Sequence, residues 1–282
     1  MATGFSFCLC ADDFGLSPGV SRGILAGLQA GRLTATSVMT TRPSWPEAAE
    51  ALRAFQTTAD IGLHLNLTLG VPLTSMPRFA ASGSLPPIGK VIAAAGRKSL
   101  PEAEIRAEIE AQIDAFATHF GRAPDFIDGH QHVQILRPIR PWLFDALESR
   151  GLRGKAWLRD AGDRLPALLA RGIEIKKALA VAWLARGFAH DAAARGFQTN
   201  QGFSGFSSFD ADRDYAGDFD RYLIAPGQRH LVMCHPGFVD DELIGLDPVT
   251  VSRPKELEFL MSSRFKACLD LRGASLARLS SA

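Results

Sequence analysis

A chain of 282 residues, 46% of them hydrophobic, can bury one barrel-sized core or two modest ones. Its formal charge of +1, with no basic run longer than Lys176-Lys177, excludes nucleic acid as the main partner. The most apolar helical run, Ala178 to Ala185, is closed by Arg186 and is too short to span a bilayer, so no transmembrane segment is expected. The N-terminus meets an apolar run too soon for a signal peptide. Cys8, Cys10, Cys234 and Cys268 lack metal-finger spacing, and Cys8 and Cys10 on one strand are badly placed for a mutual disulfide. These features predict a soluble, reduced, cytoplasmic protein.

In chain order, Phe5 to Cys10 reads as a short buried strand. Asp12-Asp13 and Gly15 follow at once, where α/β proteins place their chemistry, at the C-terminal mouth of a strand. Adjacent carboxylates repel, so a positive partner is needed, and a metal ion is the simplest; the alternative is a helix-capping Asp beside a solvated one. Ser17-Pro18 opens a helix to about Ala30, with Val20, Ile24, Leu25 and Leu28 as its core stripe and Gly31 as its stop. Thr34 to Thr40 predicts a second strand. Ser44 and Glu47 have capping-box spacing, with Pro46 in the first turn of a helix to about Phe55. Strand and helix alternate, which favours a parallel sheet.

Ile61 to Leu67 alternates strictly, with Gly62, His64 and Asn66 on one face, so His64 and Asn66 are expected to aim at a common point. Residues 70–98, rich in proline and glycine, read as a long loop over one end of the sheet, either holding substrate contacts or acting as a lid. Ser99 and Glu102 repeat the capping-box spacing before a helix marked by Ile105, Ile109, Ile113 and Phe116 and ended by Gly121. Phe126 to Val133 runs from an apolar strand into Asp128-Gly129-His130-Gln131-His132. In extended backbone both imidazoles point the same way, a pairing suited to zinc and other first-row metals. Asp128 shares that face, placed to ligate or to orient a histidine from behind.

Helices are expected from Pro138 to Arg150 and across Asp163 to Arg195. Gly202 to Phe206 reads as a loop in which Phe203 and Phe206 offer a stacking platform for a sugar ring or a hydrophobic anchor. A last buried strand, Arg229 to Cys234, ends in His235-Pro236-Gly237, with His230 at its start as a structural residue.

Four stretches, Asp12-Asp13-Phe14-Gly15, Gly62-Leu63-His64-Leu65, Asp128-Gly129-His130-Gln131-His132-Val133 and Cys234-His235-Pro236-Gly237, resemble the signatures of the YdjC-like carbohydrate deacetylases. That family includes chitooligosaccharide deacetylases and deacetylase-like proteins associated with hopanoid biosynthesis. The resemblance implies an α/β protein, a deformed (β/α) barrel similar to the NodB-type polysaccharide deacetylases, as one domain over 1–282 with a loop insertion at about 70–98. It also implies one divalent metal, zinc or magnesium first and cobalt, nickel or manganese after them, held by Asp13, His64 and His130. Asp12 would be the general base and His235 the general acid, acting on an N-acetylated sugar; a homodimer is a further implication. Many relatives carry a histidine where this chain has Gln134, which removes one substrate contact from the carry-over. Arg253 and Glu256 resemble a recurrent pair in the family, with no role attached.

The residues offer matching chemistry: a ligand set with open positions, a carboxylate to take a proton from water and an imidazole to protonate a leaving amine. Other readings are a metal-dependent amidohydrolase, a phosphatase or a non-catalytic metal- or sugar-binding protein. An amidohydrolase usually carries its His-x-His pair on the first strand, and a phosphatase would want a phosphate loop or clustered cations. A binding protein needs neither Asp12 nor His235.

Overall fold

The computed structural model describes residues 4–210 and 212–281. The chain begins with β1 (Phe5–Phe14), α1 (Pro18–Gln29), β2 (Ala35–Val38), α2 (Trp45–Leu52) and β3 (Asp60–Leu65). It continues through α3 (Ile88–Gly96), α4 (Glu102–Phe120), β4 (Phe126–Gly129), α5 (Ile139–Ser149) and β5 (Trp157–Leu158). Next come α6 (Leu165–Arg171), α7 (Ile175–Ala185), α8 (Phe188–Ala194), β6 (Gln198–Thr199) and β7 (Phe203–Ser204). Last are α9 (Tyr215–Tyr222), β8 (His230–Cys234), α10 (Asp241–Leu246), α11 (Ser252–Met261), α12 (Ser263–Arg272) and β9 (Ala274–Leu276).

The strands form one parallel sheet in the order β6-β5-β4-β3-β2-β1-β8-β7, with β9 added along the start of β1. The two end strands, β6 and β7, are consecutive in the chain yet unpaired, so the barrel is open at that seam. This is a deformed (β/α) barrel. β2, β3, β4 and β8 are buried along their whole length, as parallel strands covered on both faces must be.

Local chemistry explains most boundaries. Ser17 accepts a hydrogen bond from Val20 N with Pro18 at the first helical position, and Gly121, at φ 89°, ends α4. Several expectations need correction. The first strand runs on to Phe14 and so contains both acids. Neither capping box forms: Ser44 Oγ donates to Gly15 O, and α4 starts after Pro101 with Glu102 as its first residue. The 70–98 loop contains α3. The helix expected across 163–195 is three, parted by left-handed Gly172 (φ 64°) and Gly187 (φ 85°). Phe203-Ser204 is a strand, paired with Leu231-Val232.

Candidate active site

Successive residues of a strand face opposite sides, so Asp12 and Asp13 would ordinarily diverge. The β1–β2 register breaks between Ala11 and Phe14, and Asp13 adopts φ 70°. Such a bulge re-aims side chains, and a non-glycine residue in the left-handed region marks backbone held in place by its surroundings. Both carboxylates consequently line one cavity of about 480 Å³ at the C-terminal mouth of the sheet.

Two imidazoles meet Asp13 there. His64, near the end of β3, places Nε2 3.2 Å from Asp13 Oδ1, and His130, just past β4, places Nδ1 3.1 Å from the same oxygen. One donor atom from each residue lies within 4.8 Å of the others. Behind His64, Asp128 Oδ1 is 2.7 Å and Ser37 Oγ 3.0 Å from Nδ1, which fixes the proton on that nitrogen and turns Nε2 to the cavity. Burial opposes charge on His64, but Asp128 and then Asp13 outweigh it and raise its pKa to about 10. For Asp13 burial is outweighed by Arg253 and the two histidines, which hold it well below the carboxylate range. Arg253 Nη2 donates to Asp13 Oδ2 at 2.7 Å. A buried carboxylate and two imidazoles converging on one oxygen suit a divalent metal with open positions.

A second group, Cys10, Asp12 and Asp128, is equally close-set, but a cation already fills it. Arg159 Nη1 and Nη2 donate to the two oxygens of Asp12 at 2.6 Å each, and Nη2 is 2.6 Å from Asp128 Oδ2 and 3.0 Å from Cys10 Sγ. Burial would raise the Asp12 pKa; Arg159 wins and lowers it to about 2. Arg159 and Arg253 are thus both fully buried beside the two acids. Arg159 belongs to none of the four signatures; its signal in the sequence is its place directly after the short apolar run Trp157-Leu158.

His235 follows β8, as expected. Its backbone N–H donates to Glu256 Oε2 at 2.6 Å, and Nε2 stands 4.0 Å from Asp12 Oδ2. Burial lowers its pKa to about 4 and raises that of Glu256 to about 7. Phe209, at φ 59°, packs edge-on against the His235 ring with centroids 5.1 Å apart.

Other expected residues fall elsewhere. Gln131 and His132 have φ 53° and 61°, so the two imidazoles do not share an extended face. His132 reaches the cavity wall but packs edge-on against Phe203 and Phe206, 5.6 and 5.8 Å away, and desolvation lowers its pKa to about 3. Phe203 and Phe206 are buried there as an anchor, not exposed as a sugar platform. Asn66 lies beyond the end of β3, and its amide serves the local turn through Thr41 Oγ1, Leu69 O, Thr68 N and Leu69 N. Asp128 orients His64, and Gln134 is buried with Nε2 donating to Arg159 O. A larger cleft of about 1090 Å³ at the open seam is lined by none of Asp12, Asp13, His64, His130 and His235.

The chain matches the YdjC-like protein model over residues 6–271. It is 32% identical over 271 residues to a chitooligosaccharide deacetylase of Citrobacter koseri, covering 94% of each chain, and 32% identical over 270 residues to one of Klebsiella pneumoniae, with the same coverage. A crystal structure from Enterococcus faecalis V583, of a protein proposed to act in cellobiose-phosphate cleavage, superposes with a TM-score of 0.73 at 24% identity over 99% of both chains. With four strand-end signatures converging on one cavity and this match along nearly its whole length, the chain belongs to the YdjC-like family.

Proposed function

We propose that the protein is a metal-dependent carbohydrate deacetylase that hydrolyses the N-acetyl group of an acetylated amino sugar. The observation that carries the reading is the convergence of His64 Nε2 and His130 Nδ1 on Asp13 Oδ1, with Asp12 and His235 beside it. A divalent ion held by Asp13, His64 and His130 would acidify a water and polarise the acetamide oxygen. The two imidazoles favour zinc among the candidates.

The remaining work falls to the chain itself. Arg159 holds the Asp12 carboxylate by both oxygens, so it is ionised and aimed before substrate arrives. Asp12 takes the proton from the attacking water. His235 Nε2, 4.0 Å from Asp12 Oδ2, is the neighbouring group that carries the proton onward. His235 then gives it to the sugar nitrogen as the C–N bond breaks, releasing acetate and a free amine. Glu256 fixes the His235 backbone during the transfer. The apolar wall of the cavity, including Ile88 and Ile92 of α3 and Val181 and Leu184 of α7, excludes water from the reacting groups. Cys8, Cys10, Cys234 and Cys268 are all free thiols, which supports a cytoplasmic setting.

The test is acetate release from a panel of N-acetylated oligosaccharides, glycolipids and nucleotide sugars, with Zn²⁺, Mg²⁺, Co²⁺ or Ni²⁺ added to chelator-stripped protein. Turnover of at least one class, abolished by chelation and restored by metal, is expected. Tight sugar binding with no acetate from any class would favour a binding protein instead.

A further inference from the structure

Metal ligands are ordinarily backed by groups that strengthen them, as Asp128 backs His64. Asp13 is backed by the reverse. Arg253 is 1% exposed, and its Nη2 donates to Asp13 Oδ2 at 2.7 Å while also lying 3.2 Å from Asp247 Oδ2. Its Nε donates to Val249 O at 2.8 Å, so the guanidinium is anchored from behind. Two consequences follow. Oδ2 is engaged, which leaves only Oδ1 for the imidazole side. A fixed positive charge also stands one carboxylate away from the point where the three donors meet. Between two cations in a buried site the repulsion is large compared with the gain from one neutral hydrogen bond.

We infer that Arg253 is a positioning residue that confines Asp13 to a one-oxygen contact with the bound metal and lowers the affinity of the site for it. The inference rests on the ligand set assigned above. It explains why a buried arginine is placed on a ligand carboxylate: a weakly neutralised ion remains a stronger electrophile, at the expense of tightness.

The experiment measures metal affinity on metal-free protein by Zn²⁺ and Co²⁺ titration against a competing chelator, for wild type, Arg253→Gln, Arg253→Lys and His64→Ala. Arg253→Gln is expected to bind about tenfold tighter or more, because it removes the charge. Arg253→Lys, which keeps the charge, should stay within about threefold of wild type. A merely structural role predicts the opposite sign for Gln, namely weaker binding, since a loosened Asp13 is a poorer ligand. Unchanged or weaker binding by a cooperatively melting Arg253→Gln protein overturns the inference; should that variant not fold, Arg253→Met supplies the neutral side chain and is judged by the same sign. His64→Ala separates the two levels. If it binds as tightly as wild type, the ligand assignment itself fails and the inference with it. If it loses metal while the neutral Arg253 variants do not gain, only the role of Arg253 fails.

Discussion

At the scale of single residues, the two acids of β1 are neighbours with different partners: Asp12 belongs to Arg159 and His235, Asp13 to His64, His130 and Arg253. Their asparagine variants should therefore fail differently. Asp13→Asn replaces an anionic ligand by a neutral one, so metal affinity should fall and excess metal should restore part of the activity. Asp12→Asn leaves the ligands whole but removes the proton acceptor; kcat should drop by about 10²–10⁴-fold, with metal binding near normal and no rescue. Parallel measurement of metal affinity and acetate release decides it, and an Asp12→Asn protein that excess metal revives would reverse the two roles. Glu256 makes a separate prediction about pH. Burial raises its pKa from 4.5 to about 7, so the folded protein holds this proton more tightly than the unfolded chain. Ionisation of Glu256 therefore opposes folding: the penalty is absent below about pH 4.5, grows to about pH 7 and is constant above it. Glu256→Gln retains an acceptor for His235 N and cannot ionise. It should be more stable than wild type by something on the order of 3 kcal/mol at pH 8 and nearly equal to it at pH 4. Urea melts at both values test this, and a gain of equal size at both would show that the charge is not the cause.

At the scale of elements, α4 does more than cover the sheet. Its Glu108, fully buried, accepts from Leu73 N, Thr74 N and Thr74 Oγ1 at 3.0, 2.8 and 2.7 Å, and Gln112 one turn on holds Asn66 through its backbone N and O. The segment after β3, which brings Thr68 and Leu69 to the cavity wall, is thereby tied to a helix. Glu108→Ala strands these three donors and the Gln112 Nε2–H that also donates to Glu108, and should cost about 2–4 kcal/mol, speed proteolysis near residues 73–74 and raise KM more than it lowers kcat. Resistance to protease equal to wild type would show that the loop holds itself. The same scale shows what the sequence could and could not disclose. Strand-end positions were legible because β1, β3, β4 and β8 are apolar runs that stop at a polar residue, and this located Asp12, Asp13, His64, His130 and His235. Arg159 was not, because β5 is only two residues long and a buried arginine reads like a surface one. His132 was misplaced because Gln131 and His132 leave the extended region, which residue type alone does not announce. Likewise the break at Arg186-Gly187 is masked by alanine and leucine on either side.

At the scale of the whole molecule, the two ends of the barrel serve different purposes. The chemistry lies at the C-terminal mouth, whereas the far end is closed by the last residues of the chain. β9 pairs with Phe5–Phe7, Leu279 is buried, and Ser280 donates to Asp60 through its N–H at 3.0 Å and its hydroxyl. Among the described residues, the Asp60 carboxylate would keep only the hydrogen bond from Trp157 Nε1 if that tail were lost. Ending the chain at Arg272 should therefore cost on the order of 3 kcal/mol and lower Tm by roughly 6–12 °C. kcat and KM at 25 °C should stay close to wild type, because no cavity residue is touched. A truncated protein that keeps its Tm but loses activity would mean that the two ends are coupled.

The guanidinium of Arg159 also bears on how such a site could change over time. Of the two adjacent donor groups, one suits an ion from solution and the other is filled by the Arg159 guanidinium, a side-chain charge that no chelator can extract. On the proposed ligand set, metal starvation would empty only the first group and leave Asp12 and Asp128 anchored by Arg159. It also sets a barrier in sequence space. A descendant with two metals would first have to lose this arginine, and the intermediate would hold Asp12 buried without its guanidinium and Asp128 with His64 alone beside it, a combination that folding selects against before any new catalysis could be tried.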